Sequence, residues 1–277
     1  MKLGSFEILY ATGQHPSLGS DFLGFDAVSV NKSIYRELFA FGDFVRQERW
    51  LHYDLSGLFS PKFFSKTGIS QSDYMSFIVD NPGYDVYLFH PYPRELSLAN
   101  HFLELAELEH PGISRALSDV WCSIFRFPPS LVDAHVDKRI CCHSNYFLGS
   151  QRFWIEYSVF VSRFIQFMES AEGWILREFT PYTLTKSCDR ALPLGVFVFE
   201  RALSIFLKSK TEEFRVINYA YSGRDWSPPE IFAGEEKFVN ELLGMVEAVD
   251  QSKRSGAYTA ALHTYYNYRR LRIMNNG

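Results

Sequence analysis

Apolar and polar positions follow two different rhythms along this chain, and each change of rhythm marks an element. Between residues 53 and 91, two short apolar runs, Leu55-Ser56-Gly57-Leu58-Phe59 and Val86-Tyr87-Leu88-Phe89, have the length of strands, and they end in Ser60-Pro61 and His90-Pro91. Between them, Ser70 followed by Asp73 has the form of a capping box. Tyr74, Phe77 and Ile78 follow at i, i+3, i+4 spacing, so a short helix should connect the strands. The stretch reads as a β-α-β unit. In open α/β sheets, ligands bind beyond the carboxyl ends of the strands, which here means near Ser60–Lys62 and near His90.

On the amino-terminal side, residues 6–12 form a first strand, ended by Gly13 and followed by a Gly/Pro/Ser-rich loop through Gly24. Such a strand and loop can seat a nucleotide base, or can simply be a structural edge, and the sequence leaves both open. Residues 25–30 read as a second strand. Helical spacing runs from Tyr35 to Trp50, with Tyr35, Leu38, Phe39, Phe41 and Val45 on the apolar side. Beyond Tyr92-Pro93, a helix over 96–109 ends at His110-Pro111-Gly112, and a second over 117–127 stops at Pro128-Pro129. Residues 141–148 suggest a short strand or turn, 153–168 an aromatic helix, 173–192 irregular chain, and 196–207 a buried helix. A last strand over 214–221 is separated by Trp226-Ser227-Pro228-Pro229 from tail helices over 230–249 and 258–274. The expectation is an α/β domain over 1–229 with a mixed central sheet flanked by helices, and a helical extension over 230–277.

Composition narrows the function classes. With 277 residues, 47% hydrophobic and 22% charged, the chain can bury a sizeable core, and an aromatic share of 17% offers flat rings for stacking as well as packing. A net charge of −4 disfavours a protein that coats nucleic acid, whose phosphates require a basic face. Cys122, Cys141, Cys142 and Cys188 form no CxxC pair or zinc spacing and read as reduced thiols. With no apolar leader and no long apolar span, the expected location is cytoplasmic. The tail from Gln251 carries Lys253, Arg254, Arg269, Arg270 and Arg272 without an acidic residue, which suits peripheral contact with an anionic membrane or a partner, or simply a solvated helix.

Candidate chemistry lies where polar groups interrupt apolar runs, because burying them unpaired costs free energy. Glu200 and Arg201 sit inside Phe197-Val198-Phe199-Glu200-Arg201-Ala202-Leu203. As helix neighbours they should point to different sides and not simply neutralise each other, so one faces a cleft or both pair with other elements. Glu104 and Glu107 share a helix face that His110 extends, a set that offers a general base, metal ligands, an anchor for sugar hydroxyls, or merely a solvated edge. Lys62 and Lys66 flank a Ser/Thr/Gly-containing loop that would suit a diphosphate. No P-loop, GxSxG, HExxH or GxGxxG pattern occurs.

Taken together, Gly57-Leu58-Phe59-Ser60-Pro61-Lys62-Phe63, Lys66-Thr67-Gly68, Asn81-Pro82-Gly83-Tyr84-Asp85-Val86-Tyr87, Glu104 and Glu107 before His110-Pro111-Gly112, Asn145-Tyr146 before Phe153-Trp154, and Phe199-Glu200-Arg201 resemble a domain family of bacterial O-antigen and capsule gene clusters. Some of its members are similar to the galactopyranosyltransferase domain of a bifunctional O-antigen polymerase. The resemblance covers residues 35–208. A looser similarity, to another capsule-type transferase family, rests on Asn31, Tyr35, Glu37 and Leu38 preceding Gly57-Leu58. The chain departs from the first family at His90, where Asn is usual, and at Leu105 and Ala106, where Gln and Gly are usual.

The resemblance implies a GT-A-like fold and transfer of a hexose, such as galactose, from a nucleotide-sugar, such as a UDP-sugar, to a bacterial surface glycan, leaning to retention of configuration. It implies that Thr12 and its loop bind the nucleotide, that Ser60 and Lys62 hold the diphosphate, and that Asp85 and His90 set the sugar end. Glu104, Glu107 and His110 would orient the acceptor or act as base, and Asn145 would contact a sugar hydroxyl. Arg201 would favour the leaving phosphate and Glu200 the developing positive charge. GT-A-type transferases often carry Asp-x-Asp after the strand that here ends at His90; with His90-Pro91-Tyr92 in its place, a divalent Mg or Mn ion is left open. The competing class is a non-catalytic carbohydrate-binding or scaffold module of a polysaccharide assembly complex.

Overall fold

The computed structural model describes residues 1–30, 35, 37–91, 93–99, 102–126, 137–178, 192–210, 212–222 and 230–275. Asn31, Pro128-Pro129, Cys188 with most of the stretch expected to be irregular, and the break at Trp226–Pro229 lie outside the described residues.

In chain order the elements are β1 (Leu3–Leu9), β2 (Phe22–Asp26), α1 (Glu37–Arg46), β3 (Leu55–Phe59), α2 (Phe63–Thr67), α3 (Gln71–Asp80), β4 (Val86–Leu88), α4 (Pro93–Leu98), α5 (Phe102–Glu109) and α6 (Ile113–Phe125). Then follow β5 (Phe147–Ser150), α7 (Gln151–Glu169), α8 (Trp174–Glu178), α9 (Leu194–Ser209), β6 (Val216–Asn218), α10 (Glu230–Glu247) and α11 (Arg254–Asn275), with short 3-10 turns between some of them. The fold is α/β, a six-stranded mixed sheet in the order β2-β1-β3-β5-β4-β6 flanked by helices.

Every strand pair is parallel except those made by β5, which runs antiparallel to both β3 and β4. The β-α-β reading of 53–91 is therefore right in direction but not in adjacency. β3 and β4 are parallel, and β5 is threaded between them, pairing Leu55 with Ser150 on one side and Leu88 with Phe147 on the other. Gly57 permits the threading, since a Cβ there would stand 2.0 Å from the carbonyl oxygen of Phe147.

Side chains alternate between two cores, as the strand period of two demands. Leu58, Val86, Leu88 and Phe147 face the larger core with α1, α7 and α9, while Phe59, Tyr87, Phe89 and Leu148 face the smaller one beside α2 and α3. The caps follow from sequence. The Ser70 hydroxyl accepts the Asp73 N–H at 3.1 Å to start α3, and Ser150 accepts the Phe153 N–H at 3.2 Å to start α7. On α7, Phe153, Trp154, Tyr157, Phe160, Val161 and Phe164 form the buried stripe, and the Trp154 indole N–H donates to the Ser56 carbonyl of β3 at 2.9 Å.

Several local expectations differ: the second strand, expected over 25–30, is β2 at Phe22–Asp26, and the helix expected over 96–109 is the two helices α4 and α5. The segment between Lys62 and Gly68, read as a loop, is the helical turn α2, closed by Gly68 at φ 69°. Part of the stretch read as irregular is helical as α8. The tail helices α10 and α11 pack on each other and on α4, and Val239, Leu242, Val246, Leu262 and Tyr265 are buried in the larger core. No helix among the described residues is long and apolar enough to cross a membrane.

Candidate functional site

Because β3, β4 and β6 run parallel and β5 runs against them, one edge of the sheet gathers the carboxyl ends of β3, β4 and β6 together with the start of β5. The residues just beyond those ends are polar and buried: Ser60, His90, and the run His143-Ser144-Asn145-Tyr146 that leads into β5. The Ser60 and Tyr146 hydroxyls share a hydrogen bond of 2.9 Å. His90 accepts the backbone N–H of His143 on Nδ1 at 3.3 Å, and the two imidazoles meet edge to face at 5.0 Å. A neutral His90 bonded in this way carries its proton on Nε2.

The loop before β5 is held from α9. Ser204 accepts the Cys142 N–H at 2.9 Å and donates to its carbonyl at 3.2 Å, while Asn218 donates to the Cys141 carbonyl at 3.1 Å. This leaves Asn145 1% exposed, with neither amide atom meeting a partner among the described residues. Buried polar groups without partners are rare, and each marks a place where water or a ligand can complete the bonding.

Phe197, Glu200, Arg201 and Ser204 stand at i, i+3, i+4 and i+7, so one face of α9 presents all four to this region. Arg201, 2% exposed, donates Nη1–H to the Phe197 carbonyl at 3.1 Å and lies 3.4 Å from Glu109 and 3.7 Å from Glu200. The expected separation of the adjacent charges is thus corrected: the long guanidinium reaches back to Glu200 as well as across to α5. His110 stacks on Phe197 with ring centroids 3.7 Å apart, and burial, with Arg201 adding to it, pushes its imidazole down to about 2. His110 is neutral at ordinary pH.

Glu200 keeps 27% of its side chain exposed, yet desolvation pushes its carboxyl up to about 7. Lys66 and Arg201 pull the other way, and Glu37 and Glu109 push with the desolvation. The Lys66 ammonium lies 5.9 Å from the Tyr146 ring centroid, so α2, the loop before β5 and α9 all border this carboxyl. Cys142 is close enough to feel the charge of Glu200, but its thiol, pushed up to about 12 mainly by burial, stays protonated.

Of the residues singled out from sequence, Ser60, His90, His110, Asn145, Glu200 and Arg201 lie along this edge and the α9 face that borders it. Lys62 is exposed at the start of α2, and Lys66, one turn on, is the lysine that acts on Glu200. Thr12 is exposed in the turn after β1. Asp85 stands at the opposite edge, before β4, where it accepts the Arg215 N–H at 3.0 Å and the Ser150 hydroxyl at 3.1 Å. Glu107 caps α6, accepting the N–H groups of Gly112 at 2.6 Å and Ser114 at 3.0 Å, and the charge of Glu104 acts on Lys138. Reading the acidic helix as one face missed Glu109, the carboxylate that meets Arg201. Also missed was Glu7, which grips the loop after β1 by accepting the Ser17 N–H at 2.6 Å, the Ser17 hydroxyl at 2.7 Å and the Leu18 N–H at 2.7 Å. A lone glutamate at the centre of an apolar strand was the available signal.

Among the described residues no three His, Cys, Asp or Glu side chains gather so as to hold a metal ion, and His90 turns Nδ1 to the backbone. The chain matches no protein-family model, no curated protein and no solved structure.

Proposed function

We propose that the protein is a glycosyltransferase with a GT-A-like fold that moves a hexose from a nucleotide-sugar to a bacterial surface polysaccharide acceptor, at the inner face of the cell membrane. The observation that carries the reading is the Glu200 carboxyl, pushed up to about 7 beside Lys66 and Arg201 at the carboxyl edge of a largely parallel sheet. Strongly perturbed carboxyls flanked by cations are what acid–base chemistry on a phosphate-bearing substrate requires.

In this reading Lys66 and Ser60 face the diphosphate, and the Asn145 amide contacts a sugar hydroxyl. The bond from the anomeric carbon to the diphosphate oxygen breaks with its electron pair staying on the oxygen, and the acceptor oxygen bonds to that carbon. A carboxyl that titrates near neutrality can take the acceptor's proton or face the charge that develops on the sugar. With Glu107 committed to a helix cap, Glu200 is the better base. Replacing Glu200 by Gln should lower transfer by about 10²–10³-fold.

The deciding experiment incubates the protein with UDP-, GDP- and dTDP-sugars, with and without Mn²⁺, while following nucleotide release and melting temperature. One donor should raise the melting temperature and be slowly hydrolysed. Stabilisation by glycan fragments alone, with every nucleotide ignored, would instead identify a carbohydrate-binding module and end the transferase reading.

A further inference from the structure

The cations at this site are already shared. Arg201 has 3% of its side chain exposed and lies between Glu109 of α5, at 3.4 Å, and Glu200, at 3.7 Å. Lys66, from α2, is the other cation acting on Glu200, and Glu37 from α1 adds a further negative charge. Two further titratable groups among the described residues are neutral: His110 beside Arg201 through its burial, and the Cys142 thiol likewise. With Glu200 ionised, the carboxylates of Glu37, Glu109 and Glu200 outnumber the cations of Lys66 and Arg201. A diphosphate arriving there would add further negative charge beside two cations already engaged with carboxylates.

We propose that a diphosphate binds this cluster with Glu200 as the neutral acid, so that each bound donor draws one proton from solvent onto Glu200. The inference rests on the donor-binding reading above and adds to it the charge state of the site. Protonation releases Arg201 and Lys66 from Glu200 and turns its carboxyl from an acceptor into an O–H donor toward phosphate oxygen. The exposed quarter of the side chain gives the proton a route from solvent. In the transfer step Glu200 gives this proton to the leaving diphosphate oxygen and, ionised by doing so, takes the acceptor's proton; when the nucleotide leaves, the drawn proton returns to solvent.

The test is calorimetric titration of the full chain with UDP-galactose, GDP-mannose and dTDP-glucose, whose diphosphates are diesters that stay ionised from about pH 6 to about pH 8.5. For the donor that binds, Kd should weaken as pH rises past the Glu200 range, approaching tenfold per pH unit. Binding heats in buffers of different ionisation enthalpy should show uptake approaching one proton per donor at the alkaline end. Glu200→Gln should bind with a flat pH profile and no uptake, while Glu109→Gln, which frees Arg201 and leaves Glu200 in place, should weaken both the pH dependence and the uptake. Should the Glu200→Gln protein fail to fold, the wild-type buffer series decides by itself. Donor binding that is independent of pH and of buffer overturns this inference and leaves the transferase reading standing. No binding by any donor at about pH 6 overturns both.

Discussion

At the scale of single residues, the site is a set of polar groups kept in apolar surroundings. Asn145 meets no partner for its amide among the described residues, a condition that costs about 1–3 kcal/mol until water or a ligand completes the bonding. His110 illustrates the electrostatic side. Its ordinary value of 6.5 falls to about 2 in the folded chain, so between those values the unfolded chain holds a proton that the native one lacks. The contribution is complete above 6.5 and is lost as pH falls, by about 1.4 kcal/mol for the first unit below it. Glu200 acts in the opposite sense. Its folded value lies above the ordinary 4.5, so its contribution is present below 4.5 and is lost as pH rises through about 7. The two overlap in the wild type, and a variant separates them. Urea melts of His110→Phe and wild type at about pH 7.5 and about pH 5.5 should show the variant gaining about 1.4 kcal/mol on the wild type at the lower pH. A constant difference would mean that His110 is not buried as described.

At the scale of elements, the arrangement depends on β5 lying between two strands that precede it in sequence by about 60 and about 90 residues, as its pairings with Leu88 and Leu55 record. Gly57 is the position where this is most exposed to mutation. In Gly57→Ala the new methyl would collide with the Phe147 carbonyl, which belongs to the backbone and cannot swing aside. The expected cost is at least about 3 kcal/mol, read as a drop in the urea midpoint. A neutral Gly57→Ala would mean that β5 is not seated at this register. Pattern reading identified β3, β4, α7 and α9 because each carries its own periodic face. It could not identify the neighbour of β3, because both candidates are apolar runs of similar length. The same reason hid Lys66 behind Lys62. Only when 63–67 coils into a helical turn does the second lysine come round to α9.

For the whole molecule, the helices beyond residue 229 pack into the same core as the sheet. α10 and α11 place Leu242, Val246, Leu262 and Tyr265 into the core that backs the sheet, against α4, which follows the His90 strand tip. Burying those side chains is worth about 1.5–3 kcal/mol each as an upper estimate, a sum comparable to the stability of a typical domain. Truncation after residue 229 should therefore lower the melting temperature by at least about 10 °C or leave the product aggregated. An unchanged melting temperature would show that the tail is an appendage.

By itself the sequence determined the local faces: which segments coil, which extend, where Ser70 starts a helix, and that Glu200 and Arg201 interrupt an apolar stripe. Those properties depend on residues within a turn or two of one another, so they are written in short spacings. Only the tertiary structure decided that β5 threads between β3 and β4, that Ser204 clasps the Cys142 backbone, and that Arg201 answers Glu109 as well as its own neighbour. Each of those pairs joins positions about 60 to 95 residues apart. Their meeting is set by how packed surfaces fit, and no short spacing encodes that fit.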